Sequence, residues 1–275
     1  MVDEVTLYRA PTTVADADAI AGWLRERVEA DAEAIADWLD ERVDADVEVR
    51  DRVLSVHGGD DGEGDEGLAE SFAEARVLSP YERETGNAMV GIVRYERRAL
   101  EHPERAGGVI YDGLQVQQIL GGLLPDDERG LDDLHVPLLD RVVGTWGEHD
   151  GRWHKRVTVL GQPGLVSVPG LYEAPAKPEQ YYEAQQKHAL LSGDSPPREV
   201  LENEVDGEFF VESDPRTTDA LKGYVLQCYH YLETGEDFCD DGDCRLANPH
   251  RQPGVIRAQL RDPEFCDRHA ERYRP

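Results

Sequence analysis

The strongest constraint on this chain lies near its carboxyl end. Two short-spaced pairs of metal-binding side chains occur there: Cys239 and Cys244, then Cys266 and His269. A connector long enough to fold back joins the pairs, which is the arrangement a tetrahedral zinc site needs. The first pair brackets the turn Cys-Asp-Asp-Gly-Asp-Cys, where Gly242 is expected to let the backbone curl until both thiolates point inward. The second pair is spaced i, i+3 and shares one face if Asp262-Pro263-Glu264 opens a helix. The reading is a Cys3His structural zinc site of Cys239, Cys244, Cys266 and His269, with His250 in the connector as a substitute for His269.

Composition sets the environment of that site. The net charge of -29 comes from 58 acidic against 29 basic residues. Only Lys155, Lys177, Lys187 and Lys222 are lysines. The acid is spread between apolar positions rather than gathered in a tail, which argues for a folded, carboxylate-coated protein and against disorder. This composition resembles cytosolic proteins of salt-loving archaea, where molar salt shortens the screening length to roughly 3 Å and self-repulsion fades. Stability is therefore expected to fall as salt is withdrawn. No basic stripe exists to neutralise phosphates, so nucleic acid is excluded as a partner. No long apolar run spans a membrane. The start Met1-Val2-Asp3-Glu4 lacks the regions of a signal peptide, so the expected location is the cytoplasm. Thiols stay reduced there, which favours a metal site over a disulfide framework.

Along the chain, Val5–Arg9 reads as an opening strand ended by Pro11. Residues 18–32 and 33–47 are a tandem duplication with a period of 15, carrying Ile20, Trp23, Leu24, Val28 and then Ile35, Trp38, Leu39, Val43 at helical spacing. Fifteen residues rotate the second apolar stripe by roughly 60° from the first. One long or kinked helix is the preferred reading, and a dimerising helix the other. Val47–Val56 alternates as a strand, Gly58–Gly67 as an acidic loop, and Leu68–Leu78 as a helix. Asn87–Glu96 and Gly108–Tyr111 fit strand or helix edges equally. Leu134–Asp140 and Val142–Trp146 are expected in one strand edge, with a turn at Glu148–Gly151 and a strand over Trp153–Leu160. Gly164–Glu173 reads as an edge segment, because its prolines forbid a central place in a sheet. Ala184–Leu191 is helical and Ser192–Pro197 a linker. Ser213-Asp214-Pro215 opens a helix with Leu221, Val225, Cys228 and Leu232 on one face, closed by Gly235. Short strands among helices predict a mixed-sheet α/β or α+β fold in a single domain, residues 1–275.

The order of helix, glycine, Cys-x4-Cys, long connector and Cys-x2-ligand resembles the archaemetzincins and related archaeal metallopeptidases. The resemblance covers residues 222–269 and implies a metzincin-like domain whose residues 222–275 carry the active-site-type helix and the zinc subdomain, with Gly161–Ala176 as the edge strand lining a cleft. The family motif H-E-x-x-H-x-x-G-x-x-H precedes the first cysteine of a structural zinc site. Its glycine falls on Gly235 and matches. Its three histidines fall on Cys228, Leu232 and Phe238, and its general-base glutamate on Tyr229. Leucine and phenylalanine cannot ligate zinc, so the resemblance implies the fold and the structural zinc without the peptidase chemistry.

Three functions follow. The first is a zinc-stabilised protein that binds a peptide or protein by strand addition. The second is a metal-dependent hydrolase whose site is rebuilt from His230, Glu233 and His250, the first two being one helical turn apart. The third is a redox- or zinc-responsive protein using the Cys3His cluster. His149 and His154 read as surface groups, Cys228 as a buried thiol rather than a nucleophile, and Glu173 as a candidate cleft residue.

Overall fold

The computed structural model describes residues 1–10, 30–57, 63–103, 108–192, 198–205, 207–212 and 214–275. Its centre is a five-stranded sheet in the order β2-β1-β4-β8-β7. The strands are β1 (Glu4–Tyr8), β2 (Asp46–Arg50), β4 (Asp133–Leu139), β7 (Thr158–Val159) and β8 (Leu165–Ser167). All neighbours run parallel except β7 and β8. A second sheet, β3-β5-β6, joins β3 (Ile110–Asp112) in parallel to β5 (Val142–Gly147), which turns back into antiparallel β6 (Arg152–Arg156). The fold is mixed α/β with two mixed sheets.

The period-two alternation of strands sends side chains to two cores. Val5 and Leu7 of β1, Leu134, Val136 and Leu138 of β4, and Val166 of β8 enter the larger core. There they meet Ile35, Trp38 and Leu39 of α1 (Ala32–Asp40), and Leu221, Val225 and Cys228 of the 18-residue helix Thr217–Thr234. Tyr8, Leu139 and Leu165 enter the opposite core with Phe72, Val116 and Leu120. The intervening helices are α2 (Val53–His57), α3 (Glu63–Glu74), α4 (Val90–Glu101) and α5 (Gly113–Leu123). Downstream lie α6 (Val168–Glu173), α7 (Glu179–Ser192), α8 (Arg198–Glu204), α9 (the helix Thr217–Thr234), α10 (Gln252–Leu260) and α11 (Asp267–Ala270). Among the described residues no helix is long and apolar enough to cross a membrane.

Several expectations change. The second duplicate is not part of one continuous helix. Asp31 caps a new helix by accepting from the Ala34 amide at 3.0 Å, and α1 ends at Asp40 before the chain becomes β2. The first duplicate lies outside the described residues, apart from its last three positions. Val47–Val56 splits into β2 and α2. Asn87–Glu96 falls mostly in helix α4, whereas Ile110–Asp112 is a strand. β4 and β5 are not one edge; the chain crosses between sheets at Asp140-Arg141, where Ser167 Oγ donates to the Arg141 carbonyl at 2.7 Å. Gly164–Glu173 is not an edge either. Leu165–Ser167 sits inside the sheet between β4 and β7, and Pro169 opens α6, capped by Ser167 Oγ accepting from the Gly170 amide at 2.9 Å. The proline lies past the strand, so it removes no sheet hydrogen bond. Helix α9 begins at Thr217, later than the sequence suggests. The Asp214 carboxylate instead accepts from the Arg216 amide at 2.9 Å.

Candidate metal centre

Helix α9 positions the site. Its apolar face is seated on the sheet, and Gly235, at φ 74°, ends it in a left-handed turn as the sequence predicts. The chain then reaches Cys239, whose amide donates to the Leu246 carbonyl at 3.0 Å. The Cys239–Cys244 turn is closed by Asp241. Its carbonyl accepts from the Cys244 amide at 3.0 Å and its carboxylate from the Asp243 amide at 3.0 Å. Gly242 is not among the glycines with positive φ, so the curl rests on this Asx-type turn rather than on glycine. Gln227, fully buried on α9, clamps the loop by donating to the carbonyls of Arg245 at 3.1 Å and Ala247 at 2.8 Å. The second pair also differs from expectation. Asp262-Pro263-Glu264 opens no helix; Cys266 is itself the N-cap residue of α11, and His269 lies on its first turn.

The four predicted ligands converge. Cys239 Sγ and Cys266 Sγ are 3.8 Å apart, and His269 Nδ1 lies 3.5 Å from Cys244 Sγ and 3.3 Å from Cys266 Sγ. All four ligand atoms fall within 4.8 Å of one another. Zinc bonds of about 2.3 Å to sulfur and 2.0–2.1 Å to nitrogen make the edges of a tetrahedron roughly 3.8 Å (S to S) and 3.5 Å (S to N). The donor set therefore fits zinc in both type and spacing. A sulfur separation of 3.8 Å is also far outside disulfide range, and all four cysteines are free. Burial and the neighbouring thiols push Cys239 up to about 12, burial also raises Cys244, and burial lowers His269.

His250 does not join this cluster. It is exposed, and its carbonyl accepts from the Ala176 amide at 2.9 Å. His230 and Glu233 also part company. Glu233 accepts from the Val2 amide at 2.8 Å and faces Arg272 at 3.5 Å. His230 is buried, with Nδ1 2.7 Å from Tyr273 Oη and its ring 5.3 Å from that of His269. Burial, aided by His269 and Arg272, holds it down at about 4. Its metal-capable neighbours are Glu236, 3.8 Å from Nε2, and His269. The buried His269 Nε2 has no hydrogen-bond partner, on the side of the ring away from the Nδ1 that meets the thiols.

At the first of the positions where the resemblance would place a catalytic ligand, α9 is closed, whereas Leu232 and Phe238 are half-buried. Cys228 is fully buried, its Sγ 3.3 Å from Thr158 Oγ1, and burial pushes it up to about 12. A Cβ on Gly164, just before β8, would lie 2.8 Å from Cys228 Sγ, so strand and helix touch with no room between them. Glu173 is tied to Lys155 at 2.6 Å, His154 to Asp150 at 2.9 Å, and His149 is exposed. Sequence reasoning missed a polar cluster on the other face of the sheet. Tyr8 Oη is 2.9 Å from both His57 Nε2 and His135 Nδ1, and burial raises Tyr8 to about 12. Its members come from separate elements, so no local spacing announces it.

Residues 26–272 match the model of a family of unknown function, DUF7001. The chain belongs to that family. No curated protein matches it. Among solved structures, archaemetzincin from Methanopyrus kandleri is similar with 11% identity and a TM-score of 0.44, over 98% of this chain and 92% of that one.

Proposed function

We propose that this member of the family is a zinc-stabilised protein that works by binding a peptide or protein, without HExxH peptidase chemistry. The observation that carries this reading is the closed contact of Cys228 with Thr158 and Gly164. A peptidase zinc needs three ligands, an open position for water and a carboxylate base. On α9 and just past its end those positions hold Cys228, Tyr229, Leu232 and Phe238. Zinc bound by the Cys3His cluster would be structural, since four protein ligands leave no open position. It would pin the carboxyl-terminal loop and α11 beneath the end of α9. The strand offered to a partner is β2, an outer strand of the five-stranded sheet, rather than Gly161–Ala176. We assign the carboxylate-rich surface to work in concentrated salt in an archaeal cytoplasm.

A metal-dependent hydrolase is the second reading, favoured by the grouping of His230, Glu236 and His269 within 4.8 Å. Metal content separates the two. One zinc per chain, retained until the fold is lost and absent in Cys239→Ser and Cys266→Ser, supports the structural role. Two metals, one stripped by mild chelation with the fold intact and lost in His230→Ala, would replace it with the hydrolase. Reversible zinc release on mild oxidation would instead point to a redox-responsive role.

A further inference from the structure

A cavity of about 810 Å³ opens between the start of α9, the end of α1 and the segment that leads into Cys266. Its charge is opposite to that of the rest of the molecule. Along the chain acids outnumber bases 58 to 29. Its lining holds Arg42, Arg216, Lys222, Arg245, Arg261 and Arg274 against the acidic side chains Asp219, Asp262 and Glu264. A surface selected for carboxylates has no general reason to gather six cations around one hollow.

The inner wall holds charge that the protein itself balances only in part. Arg42 and Arg245 both lean on the Trp38 ring, with their guanidinium carbons 4.3 and 4.9 Å from its centroid. Their side chains are only 9% and 6% exposed. They share one carboxylate, Glu264, at 3.2 and 2.9 Å. The other carboxylate touching Arg42 belongs to Glu41, which is 65% exposed and gives correspondingly little. Each guanidinium also leaves its Nε buried with no hydrogen-bond partner. Two buried cations against one half-shielded acid are a costly arrangement unless a further anion completes it. Nearer the mouth, Arg216 and Arg261 are tied to Asp214 and Asp243, which hold them in place beside the hollow. Lys222 stands on the same α9 face, 2.8 Å from Asp219.

We infer that this cavity is a binding site for a small molecule bearing a multivalent oxyanion, a phosphate or polycarboxylate group. The planar forks of Arg245 and Arg42 would meet the anion at the inner wall, and Lys222 would add a point charge at the mouth. The volume exceeds that of a single phosphate, leaving room for the organic part of the ligand. The inference stands apart from the zinc reading, because none of the four metal ligands lines the cavity.

Calorimetric titration of the full, zinc-loaded chain tests it, with inorganic pyrophosphate and citrate as separate probes at fixed ionic strength. Saturable binding of either at one per chain is expected, and the preferred probe tells phosphate from carboxylate chemistry. Arg245→Met should weaken binding by about tenfold or more, since it removes a charge-assisted hydrogen bond to the anion. Because Arg245 is buried, Lys222→Met provides the second variant, with unchanged zinc content and melting temperature as controls and a loss of a few-fold expected. Absence of saturable binding for both probes, or equal affinity in wild type and Lys222→Met, overturns the site.

Discussion

Loading the Cys3His centre should drive three protons into solvent. Thiols ordinarily titrate near 8.5, so a thiol that becomes a zinc ligand at pH 7 must give up its proton. Burial moves Cys239 up to about 12 and raises Cys244, which strengthens that requirement. Burial moves His269 the other way, so its imidazole is neutral at pH 7 and yields no proton when Nδ1 binds. Zinc takes thiolates and neutral imidazole, and three S–H groups therefore become three zinc-bound thiolates and three free protons. The sign follows directly: raising the pH tightens binding. Below the thiol range each released proton changes the apparent Kd tenfold per pH unit, so three give roughly a thousandfold, or about 4 kcal/mol. The assay is calorimetric titration of zinc into the reduced, metal-free chain, in buffers of different ionisation enthalpy at one pH. The slope of heat against buffer enthalpy should give a count near three, falling to near two in Cys239→Ser. A wild-type count of one or none would refute thiolate ligation, and a count of two would remove one cysteine from the coordination sphere.

Three further outcomes test the fold around this centre. Gly164→Ala forces a Cβ to 2.8 Å from Cys228 Sγ. Overpacking of this kind costs about 1–3 kcal/mol and should lower the melting temperature by roughly 2–12 °C; an unchanged midpoint would mean that a gap lies between Gly164 and Cys228. Glu96→Gln removes a fully buried carboxylate that pairs with Arg141 at 2.7 Å and accepts from Tyr111 Oη at 3.0 Å. Leaving Arg141 uncompensated should cost about 3–5 kcal/mol in urea unfolding, and a loss under 1 kcal/mol would show that the pair adds little. Melts in low and molar potassium chloride should show lower stability at low salt, because 58 acidic residues repel one another once screening is withdrawn. Equal midpoints would sink the salt argument.

Some of this molecule is written locally and some is not. The convergence of Cys239, Cys244, Cys266 and His269 was legible because zinc chemistry favours particular side chains at short spacings, and the connector needed only to be long enough. The apolar face of α9 and its stop at Gly235 were legible for the same reason, since a helix repeats every few residues and a left-handed cap favours glycine. The placement of β8 was not. Pro169 reads as an edge signal in the sequence, yet it opens a helix immediately after an interior strand. The two duplicated segments look alike, yet Asp31 starts a fresh helix in the second and β2 follows it.

The sequence by itself determined the net charge and the zinc-ready residues, because both depend on residue type over a short reach. Only the tertiary structure decided that His230 is buried beside His269 and parted from Glu233, and that Arg42 and Arg245 crowd one carboxylate. Arg42 and Arg245 stand some two hundred positions apart in the chain. Contacts between distant segments are fixed by how helices and strands pack, and no periodicity in the sequence records that.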